Sequence, residues 1–189
     1  MTEPVLIRRE WAMASPDTFD VPQIGRFVWK YLRRAKVSVD PYARNKRWAT
    51  HTNDLNPATA AEHHMDATDF LRKLHVEGVR ADLVIIDPPY SPRQVKECYD
   101  SIGQKMEQDD ALLGKVRAEL KKAIYDVLSS HGIVLTFGWN TVGMGRNLGF
   151  EQIEILLVCH GSDHNDTICL AERRAPDLFS HGLHGMSEA

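Results

Sequence analysis

The stretch Ala81–Gln94, ADLVIIDPPYSPRQ, sets an acid, Asp87, two prolines, Pro88 and Pro89, and a tyrosine, Tyr90, directly behind an apolar run. Consecutive prolines fix the backbone dihedral at two positions and remove two amide donors. A carbonyl held there is presented rigidly, with no neighbouring amide to compete for it. Dipoles preorganised in this way cost little reorganisation during a reaction. An ordinary strand-ending Asp-Pro turn with an incidental aromatic uses the same residue types, so the four letters alone leave both readings open. Three further acids, Asp40, Asp54 and Asp66, each close a short segment of their own.

The elements that must position these acids follow from periodicity. VPQIGRFVWKYLRRA reads as a helix, with Ile24, Phe27, Val28, Tyr31 and Leu32 at helical spacing and Pro22 near its start. KVSVD and THTND read as short strands ending at Asp40 and Asp54, and EHHMD as a third ending at Asp66. ATDFLRKLHV reads as a helix burying Phe70, Leu71 and Leu74. ADLVIID is the clearest strand, continuous enough to be buried on both faces. The segment DDALLGKVRAELKKAIYDVLSS is a long helix that Gly132 is expected to stop. GIVLTFG is a strand, and NTVGMGRNLGF a turn with a short helix. EQIEILLVCH and DTICLAERR form a hairpin across GSDHN.

This order predicts an α/β sandwich, mostly parallel, with an antiparallel hairpin at its end. Such sheets bind ligands beyond the carboxyl ends of their strands, where the four acids fall. With 189 residues, 43% of them hydrophobic, the chain suits one domain over 1–174, followed by a poorly ordered tail over 175–189. No apolar run approaches the ~20 residues needed to span a bilayer. Three widely spaced cysteines, Cys98, Cys159 and Cys169, and no signal-like start lead to the expectation of a cytoplasmic protein without a membrane partner. The net charge of −3 hides an asymmetry: Arg26 to Arg47 holds eight basic residues against one acid, Asp40. That is a polyanion footprint or a solvated helix face followed by a charged loop.

At DPPY, Asp87–Tyr90, ending a buried strand, the sequence resembles the S-adenosylmethionine-dependent amino-methyltransferases that act on adenine in DNA. The resemblance extends over roughly residues 17 to 174 and implies a class I methyltransferase fold, a Rossmann-like sandwich with a seven-stranded sheet. It assigns the catalytic tasks to Asp87, Pro88, Pro89 and Tyr90. The Asp87 carboxylate and the Pro88 carbonyl accept the two hydrogens of an exocyclic amine, and Tyr90 stacks on a base flipped from duplex DNA. VDPYARN is similar to the family's first-strand loop, with Asp40, Pro41, Tyr42 and Ala43 in matching places, although Arg44 and Asn45 stand where that loop has glycines. The resemblance also gives the cofactor's ribose to Asp54, its adenine amino group to Asp66, and its methionine end to the segment that contains Ile24.

Arg44, Lys46 and Arg47 are expected to meet DNA phosphates, Arg93 to shape the rim of the base pocket, and Trp139 to line the crevice. No insertion is long enough for a separate recognition domain. Sequence choice therefore falls to short loops, to the helical segment between Arg93 and Ser130, or to a second subunit, as a homodimer or as a separate specificity chain. The rivals are a methylase of cytosine, RNA or a protein amide, and a non-catalytic nucleic-acid-binding subunit of the same fold. Cys159, His160, His164 and Cys169 match no standard zinc spacing, and no metal is expected.

Overall fold

A computed structural model describes residues 4–89, 110–161 and 164–175. Its elements are β1 (Leu6–Trp11), α1 (Pro22–Leu32), β2 (Ser38–Asp40), β3 (His51–Thr52), α2 (Ala67–Val76), β4 (Ala81–Ile86), α3 (Asp110–Val127), β5 (Leu128–Gly138), β6 (Phe150–Cys159) and β7 (Thr167–Arg174). The strands form one seven-stranded sheet in the order β1-β6-β7-β5-β4-β2-β3. Every neighbouring pair is parallel except β5 with β7 and β6 with β7. The expected parallel sheet with a closing antiparallel hairpin is therefore present.

The two faces of β4 divide the core. Leu83 and Ile85 lie with Phe27, Val28 and Leu32 of α1 and with Leu135, Leu156 and Val158. Val84 and Ile86 lie with Phe70, Leu71 and Leu74 of α2 and with Ala123, Ile124 and Val127 of α3. A strand sandwiched in this way has no polar face to show, which is why ADLVII reads as an unbroken apolar run. Each fully buried Leu, Ile or Phe stabilises the fold by about 1.5–3 kcal/mol.

Helix boundaries follow local chemistry. Pro22 opens α1, where its missing amide costs nothing. Asp66 caps α2 by accepting from the amides of Thr68 and Asp69, at 2.8 and 3.2 Å.

The structure corrects four expectations. β1, not anticipated, adds to the sheet edge parallel to β6, and its pairing is reinforced by Arg8 donating to the buried Glu154 at 2.7 Å. The segment around His63 contributes one isolated parallel bridge to Asn53 instead of a strand ending at Asp66. Gly132 does not stop a helix. It lies inside β5, where an added Cβ would meet the Leu128 side chain at 2.4 Å and the Ala81 carbonyl at 3.0 Å. β3 ends at Thr52, two residues short of Asp54. The expected tail lies outside the described residues apart from Ala175. Among the described residues no helix is long and apolar enough to cross a membrane.

The crossover from β2 to β3 contains no helix. Residues 41–50 form turns, closed by reciprocal bonds in which the Ser38 amide donates to Thr50 Oγ1 at 3.1 Å and the Thr50 amide to Ser38 Oγ at 3.0 Å. Trp48 on this link takes over part of a helix's covering role. It stacks on Phe19 with ring centroids 5.9 Å apart and meets Trp29 of α1 at 5.3 Å.

Candidate active site

The strand order reverses between β2 and β4: β3 lies outside β2 on one side, and β5 follows β4 on the other. A crevice opens beyond the carboxyl ends of strands at such a reversal. Asp40 is the last residue of β2 and Asp87 directly follows β4. Val39 pairs with Val84, so Asp87 stands two residues further out than Asp40 on the opposite wall. Pro88 and Pro89 continue from it, and all three are half-buried. Trp139 leaves the end of β5, the next strand over, and is 44% exposed. Tyr90 and Arg93 lie outside the described residues.

Three carboxylates act on one another here. Asp40 is fully enclosed, and its pKa is pushed up to about 8 by burial, against the pull of the Tyr42 amide and with help from the charges of Asp87 and Asp54. At neutral pH Asp40 is therefore mostly a neutral acid, able to donate a proton in a hydrogen bond. Its Oδ1 accepts the Tyr42 amide at 3.0 Å, which turns the chain sharply beyond β2.

The loop beyond β2 lacks the family's glycines but keeps a left-handed residue, Arg44, at φ 49°. Asp54 stabilises that turn: its Oδ2 accepts from the Arg44 amide at 3.0 Å, and its Oδ1 from the Asn56 amide at 2.9 Å. Each oxygen keeps a further lone pair for a hydroxyl donor. Both bonds of Asp66 to α2 use Oδ1, and Oδ2 has no partner among the described residues. Pro41 and Ala43 are buried in the loop wall. The donor set fits a cofactor offering hydroxyl and amino hydrogens at Asp54 and Asp66. Ile24 does not share that place: it is fully buried in the α1 core and has no surface to offer.

Sequence reasoning missed Asn53, which joins the loops of this site. Only 1% exposed, it donates from its side chain to the carbonyls of Pro41 at 3.2 Å and Met65 at 3.0 Å and accepts from the Met65 amide at 3.1 Å. Its backbone bonds Asp40 and Ala43. The sequence holds no signal for it: the preceding Thr52 is buried as well, so alternation does not single it out.

The basic residues are not bare. Arg44 pairs with Asp17 and donates to the Pro16 carbonyl at 3.1 Å, Lys46 pairs with Asp20, and Arg47 reaches Glu62 at 3.9 Å. These pairs, with Phe19 against Trp48 and Phe137, lay the segment before α1 over the first loop. Cys159 and Cys169 are buried thiols, and burial pushes that of Cys169 up.

Solved structures share this fold at low sequence identity. SMU.776, described as a candidate methyltransferase and solved with SAH, matches with a TM-score of 0.52 at 14% identity, covering 78% of this chain and 48% of its own. YhhF of Escherichia coli, also described as a candidate methyltransferase, matches with a TM-score of 0.51 at 12% identity, over 86% of this chain and 91% of its own. A SAM-dependent methyltransferase from Agrobacterium tumefaciens matches with a TM-score of 0.50 at 12% identity, over 82% and 62%. The chain thus spans about half the length of SMU.776 and nearly all of YhhF. No family model matches the sequence, and no curated protein does. The fold is that of the class I methyltransferases.

Proposed function

We infer that this chain transfers a methyl group from S-adenosylmethionine to the exocyclic amino nitrogen of adenine in DNA. The observation that carries the reading is the place of Asp87-Pro88-Pro89: an acid and a ring-locked carbonyl just past β4, beside the strand-order reversal. The SAH and SAM named for proteins of the same fold support the choice of cofactor.

The bound cofactor supplies a methyl group on a positively charged sulfur. The chain's own residues have the tasks of holding, orienting and accepting. Asp54 and Asp66 offer acceptors to the cofactor's hydroxyl and amino groups, and the loop Asp40–Ala43 forms the wall beside it. Asp87 and the Pro88 carbonyl accept the two hydrogens of the amine. This favours a pyramidal nitrogen whose lone pair is withdrawn from the ring and aimed at the methyl. Asp87 takes the proton released when the new N–C bond forms. Positioning of this kind accounts for large rate gains without a covalent enzyme intermediate. Tyr90 and Trp139 are the aromatic surfaces offered to an extruded base. Arg44, Lys46, Arg47 and Arg93 are its phosphate and rim contacts.

A second reading is favoured by one observation, the acid partner held by each of Arg44, Lys46 and Arg47. Cations already neutralised offer less to a polyanion, which suits an amine on a carrier without phosphates, a protein amide.

Asp87→Ala tests the first assignment. Labelled methyl transfer to DNA is expected to fall at least about a hundredfold, while cofactor affinity by calorimetry stays within about threefold. Retained transfer would remove Asp87 from the mechanism. Digestion of the methylated substrate and mass identification of the modified nucleoside separates adenine from the alternatives. No saturable cofactor binding in the unaltered protein would instead identify a non-catalytic subunit.

A further inference from the structure

Nine large apolar residues are exposed among the described residues, and four of them, Leu6, Ile7, Trp11 and Met13, lie on β1 or at its exit. Ile7 and Trp11 are 69% and 61% exposed. Among the described residues β1 is also the sheet's edge, paired only with β6. The apolar surface continues from Ile7 onto the part-exposed Ile155, its partner in register, and Leu157 of β6.

The backbone at this edge has a definite polarity. Ala12 donates to the Cys159 carbonyl at 3.0 Å, so even-numbered residues of β1 turn their amides and carbonyls toward β6. Ile7, Arg9 and Trp11 turn theirs away from the sheet. The Trp11 carbonyl accepts from Gln23 Nε2 at 2.8 Å, which leaves it a second lone pair.

We propose that this edge is a self-association surface, on which a second copy of the chain lays its own β1 antiparallel about a two-fold axis at Arg9. In that register the outward-facing residues oppose one another: Ile7 meets Trp11 of the second copy, Trp11 meets its Ile7, and Arg9 meets its Arg9. These are the residues whose backbone groups are directed outward. On the α1 face the same register sets Arg8 opposite Glu10 of the second copy, twice over. Charge thus selects this alignment: a shift that centres the axis on Ile7 would set Arg8 against Leu6 instead. The Arg9 pair opposes it, an opposition lessened because Arg9 Nε donates to Cys159 Sγ at 3.1 Å and the side chain is thereby drawn toward β6, away from the edge. A lone edge strand bearing apolar side chains is a template for such addition, and its exchange of backbone bonds closes after two copies. The two sheets become one, with the crevices at opposite ends.

The 189-residue chain, followed by sedimentation equilibrium over a concentration series, is expected to be a dimer. Ile7→Lys should weaken it at least about tenfold, because two apolar pairings are lost while the side chain remains in solvent. Ile7→Pro should weaken it similarly, since only an outward amide is removed and β1–β6 bonding is untouched. Circular dichroism and the melting midpoint establish that both variants are folded. The proposal is overturned if the unaltered protein sediments as a monomer up to ~100 µM, or if it forms a dimer that Ile7→Lys leaves intact.

Discussion

Asp40 carries the electrostatic tension of the candidate site. It is enclosed, bonded to one amide, and faces two further carboxylates, so it holds its proton to about pH 8. In the unfolded chain the same group ionises near 3.8. Between those values the folded state binds more protons, and stability is shed as pH rises through the window. Glu172, raised chiefly by burial and held by the Met144 and Gly145 amides, acts in the same sense. The melting point is expected to fall by at least about 5 °C from pH 5 to pH 9. Asp40→Asn should remove most of that slope, leaving the part due to Glu172, as read by thermal denaturation across pH. Equal slopes in both proteins would show that Asp40 is not the titrating group. Glu172 also explains Gly143, at φ 45°, where a Cβ would come within 2.0 Å of Oε2.

Among the elements, the loops beyond β2 and β3 depend on Asn53 more than on any helix. Its buried side chain makes three bonds joining the segments at Pro41 and Met65. Asn53→Ala should cost about 3 kcal/mol, through unsatisfied carbonyls left in the interior. It should also weaken cofactor binding, because the loops that carry Asp40 and Asp66 lose the side chain that joins them at Pro41 and Met65. Urea unfolding and calorimetry measure the two effects, and an unchanged midpoint would refute this account. Asn53 was not legible in the sequence, since its partners are backbone groups twelve residues away on either side. By contrast α2 was legible to the residue, because Asp66 caps it and Phe70, Leu71 and Leu74 mark one face. β4 was equally plain from its unbroken apolar run. β1 escaped notice because LIRREW mixes charge and apolarity on both faces, and only its pairing with β6 makes it a strand. The Asp87 motif was readable as chemistry, while its place beside the strand-order reversal needed the whole sheet.

For the whole molecule, the basic run from Arg26 to Arg47 promised eight cations to a polyanion, and the fold divides them. Arg26 and Lys30 pair with Glu10 and Glu154. Glu154 is buried, and Lys30, Tyr31 and Arg8 together still hold it below the ordinary carboxylate range. Arg33, Arg34 and Lys36 follow α1 and precede β2, at the amino ends of the strands and away from the crevice. Arg44, Lys46 and Arg47 remain at the crevice end. Each holds an acid partner that a phosphate must displace, so the log–log slope of DNA binding against salt is expected to be no steeper than about −3, instead of the roughly −7 that eight neutralised phosphates would give. A titration series in potassium chloride measures it, and a slope steeper than about −5 would require the remote cluster to touch DNA as well.

The proton on Asp40 also sets how the crevice treats ligands of opposite sign. While Asp40 holds its proton the crevice carries one negative charge fewer. Alkaline solution adds that charge, which attracts a sulfonium and repels phosphodiesters. Affinities for donor and acceptor should consequently drift apart above pH 8, the first rising and the second falling.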